Sequence, residues 1–211
     1  KKNFKDLFPN ICDRTRFNRT KRNLYSTIKE IQKYFSKLPM FANDNIRIID
    51  SMPVPVCKFA RAYFSKSFKD IASYGYCASK KETYFGLKLH ALVTVDGFVS
   101  DFLLTPAGID DRTAVFELTE NKQSIKIIAD KGYIDNTLKN QLEIEKDILL
   151  ISLKRKNSKH PLEKRLRNVL SKTRRRVETS FSQLSEQFNI NKVLAKSKWG
   201  LMFRITLKIL A

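Results

Sequence analysis

The sequence predicts an α/β fold, a mixed five-stranded sheet flanked by helices with a small helical N-terminal segment, and three observations predict it. Short β-branched runs of strand length occur at 46–50 (IRIID), 125–129 (IKIIA) and 148–153 (ILLISL). Residues 84–95 alternate between two faces with period two and reach an Asp96-Gly97 turn, after which FVSDFLLT returns as a hairpin partner. Helix-period stretches separate or follow these strands, and no internal repeat or low-complexity tract interrupts the order, so helices packed on a sheet are the expected layers.

Each element has its own signal. In residues 1–45 a basic run, RTRFNRTKRN, leads into LYSTIKEIQKYF, where Leu24, Ile28, Ile31 and Phe35 recur at helical spacing. This part is taken as a basic helical segment, the remnant of a DNA-binding region, ahead of a main domain at 46–211. IRIID, followed by Ser-Met-Pro, predicts a strand whose C-terminal end carries Asp50, and Pro53 and Pro55 then prevent a helix from starting at once. Residues 57–82 carry Phe59, Tyr63, Phe64, Phe68, Tyr74 and Tyr76 among Lys and Arg with no clean period, which suggests an insertion or long connection.

After the hairpin, DDRTAVFELTE opens with acids that cap a helix. IKIIA then ends in Asp130 and a Lys131-Gly132-Tyr133 turn, and a short helix near 136–142 and the strand ILLISL follow. The basic loop KRKNSKH precedes a long helix expected from Pro161 to about Phe188, with Leu162, Leu166, Val169, Leu170, Val177, Phe181, Leu184 and Phe188 on one stripe. WGLMFRITLKIL predicts a final helix.

Composition narrows the partners. With 41 Lys and Arg against 21 Asp and Glu the chain carries a formal charge of +20, which points to a polyanion, and a structural RNA binder would be as basic. Cys12, Cys57 and Cys77 are odd in number, far apart and without a CxxC pair, which disfavours a disulfide framework or a zinc site. No apolar run of about 18 residues and no signal-peptide core occur, so a soluble intracellular protein is expected, with no membrane partner. The chain begins at Lys1 rather than Met, which predicts residues upstream.

The candidate chemistry lies in three carboxylates. Ligands in open α/β sheets collect at the carboxyl ends of strands, where Asp50 and Asp130 are both expected. Helical geometry puts Glu178 about 100° from Val177, at the border of the buried stripe. Arg174, Arg175, Arg167 and Lys164 lie on the same flank. Three acids of this kind suit magnesium, a hard ion with oxygen ligands, and a pair of ions about 3.5–4 Å apart would serve phosphodiester chemistry. The alternative is that Asp50 and Asp130 are turn or capping residues and that Glu178 pairs with Arg174. His90 shares the polar side of its strand with Lys88, either supporting a site or purely structural. Asp110 and Asp111 are expected to start a helix, and Asp101 has no evident partner.

The strings IIDSMPVPVCKFARA, YGYCASKKETYFGLKLHALVTVDGFVSDFLLTPAGIDDRTA, IIADKGYID and RRRVETSFSQLSEQFNI resemble bacterial insertion-sequence transposases of the nine-eighty-two family, from about Phe8 to the end. These are DDE transposases, whose catalytic domain is similar to the RNase H and retroviral-integrase fold. The resemblance implies that Asp50, Asp130 and Glu178 are the catalytic, metal-binding triad, holding two Mg2+ ions with Mn2+ as a substitute. It implies cleavage and strand transfer at element ends with inverted repeats, a target DNA, a homodimer on DNA, and a bacterial cytoplasmic, nucleoid-associated setting. Arg174, Arg175, Arg176 and Arg167, with Lys131 and Lys88, are the candidate DNA contacts. Family members carry a longer N-terminal region before the FPN-like segment, which implies that this chain is N-terminally truncated. A non-catalytic nucleic-acid-binding remnant and an RNase H-like nuclease are the alternative functions.

Overall fold

The structure, a computed structural model, describes residues 6–7, 9–10, 12–38, 44–66, 68–78, 80–153 and 162–211. In chain order the described elements are helices α1 (Arg14–Asn23) and α2 (Tyr25–Ser36), strand β1 (Ile46–Cys57), the one-turn helix α3 (Phe59–Ala62), and strands β2 (Ser73–Cys77), β3 (Glu82–Thr94) and β4 (Val99–Pro106). Helix α4 (Asp111–Leu118), β5 (Lys126–Ala129), a 3-10 turn (Lys131–Tyr133), α5 (Asn136–Lys146), β6 (Leu149–Ser152), α6 (Lys164–Glu186) and α7 (Lys198–Leu210) follow. Pro161 and the basic loop 154–160 lie outside the described residues.

The sheet is mixed. β1 pairs antiparallel with β3 and parallel with β5, and β5 pairs parallel with β6. β3 is long enough to seat two partners on its other edge, β2 along Glu82–Gly86 and β4 along Leu87–Val93. Five lateral positions therefore hold six strands. The extra strand, β2, lies in the segment expected to be a connection. Five residues with a central glycine and scattered rings offer too little alternation to reveal it.

β1 corrects the sequence expectation. It does not stop at Asp50 but runs on through Pro53 and Pro55 to Cys57, paired with β3 throughout. Pairing with β5 ends at Ile49↔Ala129, and beyond that point no described strand pairs with the other edge of β1. Prolines two residues apart present their missing N–H groups to one edge, and an edge with no described strand partner tolerates them. Where β1 bulges between Pro55 and Cys57, Gly86 faces it, and a Cβ there would meet the Val54 carbonyl oxygen at 2.4 Å.

Side-chain alternation assigns the two faces. Ile48, Met52 and Val54 of β1 and Leu87, Leu89 and Ala91 of β3 pack with Val177 and Leu184 of α6 and Leu201 and Ile205 of α7. On the same face Ile128 of β5 packs with Leu170 of α6. The odd-numbered Ile49, Ile127 and Ala129 turn the other way, onto Val115 and Leu118 of α4 and Leu138 and Leu142 of α5. Each fully buried aliphatic side chain contributes about 1.5–3 kcal/mol, so α6 is held chiefly by Leu170, Val177 and Leu184. Leu166 and Val169, expected on its buried stripe, are exposed.

The basic run 14–23 is itself helical, capped by Asp13, whose carboxylate accepts from the N–H groups of Thr15 and Arg16. Neither α1 nor α2 buries a residue, and Leu24, Ile31 and Phe35 of the expected stripe stay exposed. α2 leans on α7 through Tyr25, whose ring meets Trp199 and Phe203 edge-on at 5.5 and 5.6 Å. No described helix is long and apolar enough to cross a membrane.

Candidate active site

The parallel pairing of β1 with β5 sets the site. Ile49 is opposite Ala129, and the next residue on each strand is an aspartate, Asp50 and Asp130. Their backbones are therefore neighbours on strands roughly 5 Å apart. Both are even-numbered, like Ile48 and Ile128, so both side chains emerge on the face covered by α6.

Glu178 stands beside Val177, the fully buried anchor of α6. Between it and β1 lies Arg174, one turn earlier on the helix. The Arg174 guanidinium donates to the Asp50 carboxylate at 3.0 Å and to the Glu178 carboxylate at 2.7 Å. The Glu178–Arg174 pairing expected under the capping alternative is thus present, but the same arginine also reaches Asp50, 124 residues away in the chain. Glu178 and Asp50 face one cation across the width of a guanidinium. Asp130 is half-buried beside them and is the residue before the 3-10 turn, which it does not cap with its side chain.

Electrostatics make this a strained place for negative charge. Burial pushes the Asp50 carboxyl up to about 6, Asp130 and Asp111 add to the rise, and the Ser51 N–H at 2.8 Å and Arg174 oppose it. Perturbed carboxyls concentrate at functional sites, and this one has a cationic neighbour and two further acids around it. Among the described residues no three His, Cys, Asp or Glu side chains are close enough together to hold a metal ion. The donors are nonetheless of the right chemistry, since carboxylate oxygens suit a hard divalent cation, and a positive group already sits between two of them. A metal bound by all three acids requires Arg174 to withdraw.

A second layer supports β1 from the opposite face. Ser51 pairs with His90, and both point with Lys88 toward α4. There Asp111 accepts from Lys88 at 2.9 Å and from the Ser51 hydroxyl at 3.2 Å, and its nearer oxygen is 3.8 Å from the His90 ring Nδ1. His90 is fully buried, with its Nε2 on the Thr105 hydroxyl at 2.9 Å. Burial lowers its basicity to about 4, with Asp111 opposing and Lys88 assisting, so the ring is neutral at pH 7. Tyr133, almost wholly buried, is held well above the ordinary phenol range by burial and then by the charges of Asp111 and Asp50.

Asp110 is the N-cap of α4, accepting from the Arg112 N–H, as expected of a helix start. Asp111 does more than start the helix, and the doublet hid this. The shared side of Lys88 and His90 on β3 was legible, but the sequence carries no signal that places Asp111 beside them. Asp101, expected to lack a partner, pairs with Lys122 at 2.9 Å. Of the candidate DNA contacts, Arg167, Arg175 and Arg176 are exposed on α6 and Lys131 is exposed beside Asp130. Lys88 is mostly buried in its pair with Asp111 and also donates to the Ile109 carbonyl.

The protein family described as the transposase DDE domain matches residues 41–198, most of the chain and all of the site. The chain belongs to this family. No curated protein matches it. Among solved structures a piggyBac transposase synaptic complex with hairpin DNA, determined by cryo-electron microscopy, is similar with a TM-score of 0.49 at 11% identity, over 79% of this chain and 45% of that chain. The transposase DDE domain here thus spans less than half the length of that solved relative.

Proposed function

We propose that this transposase DDE domain cuts DNA strands and joins the freed 3′ ends to a target, using Asp50, Asp130 and Glu178 to hold divalent metal. The observation that carries the reading is the adjacency of Asp50 and Asp130 at the Ile49↔Ala129 pairing, on the sheet face from which α6 brings Glu178. Family membership supports DNA as the substrate, and the charge of +20 agrees with it.

Asp50, Asp130 and Glu178 would hold Mg2+, which supplies activation of an attacking water or 3′-hydroxyl and charge stabilisation at the phosphate. The chain's own groups do the rest. Arg174 neutralises Asp50 and Glu178 and keeps them facing each other. Lys131, next to Asp130, and Arg175 and Arg167, on the Glu178 flank of α6, are exposed cations, Arg176 is exposed on the other flank of the helix, and these cations meet the phosphate backbone without reading sequence. Element ends with inverted repeats, a target DNA and a homodimer on DNA belong to this reading, as does a bacterial cytoplasmic, nucleoid-associated setting. Residues 1–45 are proposed to be a basic helical segment accessory to the catalytic domain at 46–211.

The test is strand cleavage of labelled duplex DNA with Mg2+ or with a chelator. Cleavage by the parent chain only with metal, and none by Asp50→Asn, Asp130→Asn or Glu178→Gln with DNA affinity unchanged, is expected. Full cleavage by any of the three variants overturns the triad, and salt-dependent binding without any metal-dependent product makes the domain a binding remnant.

A further inference from the structure

The segment between β1 and β3 supplies none of the three acids. It is anchored by Phe68, Ile71 and Ala72, which pack into the core beneath α6. Its other rings are left outside, and Tyr63 and Phe64, at 80% and 79% exposure, are the most exposed aromatic side chains among the described residues. Packing does not account for them.

They are nevertheless arranged. Phe59 meets Tyr74 at 5.6 Å between ring centroids and Tyr74 meets Phe85 at 5.2 Å. Beside Tyr74 and Phe85 a cavity of about 470 Å3 opens, walled on its other sides by Tyr63, Ala62 and Lys69. That volume falls within the ~300–1,000 Å3 of small-ligand pockets. Residues 57–82 carry six Lys and Arg, including Lys58, Arg61 and Lys66, against two acids.

The location connects it to the acids. Phe85 is odd-numbered on β3 like Ala91, which pairs with Asp50, so cavity and carboxylate open on one sheet face. They are about 20 Å apart along β3 at the antiparallel rise of about 3.4 Å per residue. A second cavity of about 320 Å3, lined by Glu178, Met52, Pro53 and Lys80, lies between α6 and the end of β2.

We propose that the cavity walled by Tyr63, Tyr74 and Phe85 receives an unpaired nucleobase of the DNA strand that runs past Asp50 and Glu178. The exposed rings of Tyr63 and Tyr74 stack on the base, the buried Phe85 backs the slot, and Lys69 meets the phosphate. Every base has a π-face, so such a slot is indifferent to sequence, but bases inside a duplex are already stacked and cannot enter. The ligand is therefore a frayed or single-stranded DNA segment near the cleavage point. This inference rests on the reading of the carboxylates as a DNA-cutting site.

The experiment is fluorescence anisotropy, in chelator to prevent cleavage, with three probes: a blunt duplex, the same duplex with a single-stranded extension, and one whose extension is abasic. The parent chain is expected to bind the extended probe roughly 5- to 150-fold more tightly than the blunt one, the range of one stacked base, with no such gain for the abasic extension. Tyr63→Ala with Tyr74→Ala loses the gain and leaves blunt-duplex affinity within about twofold, whereas Tyr74→Phe keeps it. Tyr63→Ala alone, at so exposed a site, reports on the slot if the double variant fails to fold. Equal binding of all probes by the parent, a gain retained by the abasic probe, or a gain surviving the substitutions overturns the proposal. So does a change in sedimentation with the gain intact, which makes the patch a contact between copies of the chain. Failure of metal-dependent cleavage leaves these outcomes unaltered, so the two readings fail separately.

Discussion

Arg174 and Asp50 meet at 3.0 Å across the gap between α6 and β1, and the second guanidinium nitrogen holds Glu178 at 2.7 Å. One arginine thereby joins two acids from opposite ends of the domain. Its position is the one that a divalent cation shared by the same acids would contest.

Replacing Arg174 with Gln tests this relationship. Asp50 then lies near Asp130 and Asp111 without its cation, and without metal at pH 8 the domain is expected to lose about 1–3 kcal/mol. Mg2+ then replaces the missing charge, so the rise in Tm on adding metal is larger for the variant than for the parent. Thermal unfolding with Mg2+ and with chelator measures both. Equal metal-induced shifts in the two proteins contradict a shared place for arginine and ion.

Asp50 also makes a pH prediction. Its carboxyl, raised by burial to about 6 from an ordinary 3.8, favours the folded state when protonated. That contribution is complete below about pH 3.8 and is lost as pH rises through about 6, amounting to roughly 2–3 kcal/mol. Asp50→Asn has no such titration and is expected to be the more stable protein at pH 8 while matching the parent near pH 4. Urea unfolding at the two pH values decides it, and parallel pH profiles contradict the buried, ionised Asp50.

The sheet and the aspartates were legible because strands carry their own signals. The β-branched runs gave β1, β5 and β6, and alternation with an Asp-Gly turn gave the β3–β4 hairpin. The continuation of β1 was hidden because Pro53 and Pro55 read only as a bar to a helix, and that they extend the strand follows from its pairing with β3, which no local signal shows. β2 was hidden because its pairing depends on the length of β3. The flank of α6 bearing Arg174 and Glu178 followed from the helical period, but that Arg174 reaches Asp50 is a tertiary contact. Asp111 was obscured by its neighbour Asp110, a true helix cap, and only the fold brings it to Lys88 and Ser51.

The two members of that acidic doublet are expected to differ. Asp110→Ala removes an N-cap and costs about 1 kcal/mol. Asp111→Ala strips the carboxylate from the mostly buried Lys88 and from the Ser51 hydroxyl, at a cost of about 2–4 kcal/mol. It also releases β1 next to Asp50, so Mg2+ affinity falls as well, and Asp111→Asn, which keeps an acceptor oxygen, recovers part of both. Denaturant unfolding with a metal titration is the check. Equal costs at the two positions mean that Asp111 serves only to start the helix.

The central claim is that Asp50, Asp130 and Glu178 form one metal site, and Mn2+ binding followed by electron paramagnetic resonance tests it most directly. The parent chain is expected to bind Mn2+ in competition with Mg2+, with affinity falling at least tenfold in Asp50→Asn, Asp130→Asn and Glu178→Gln and the folded state preserved. Binding unchanged in all three variants, or affected in only one, contradicts the shared site.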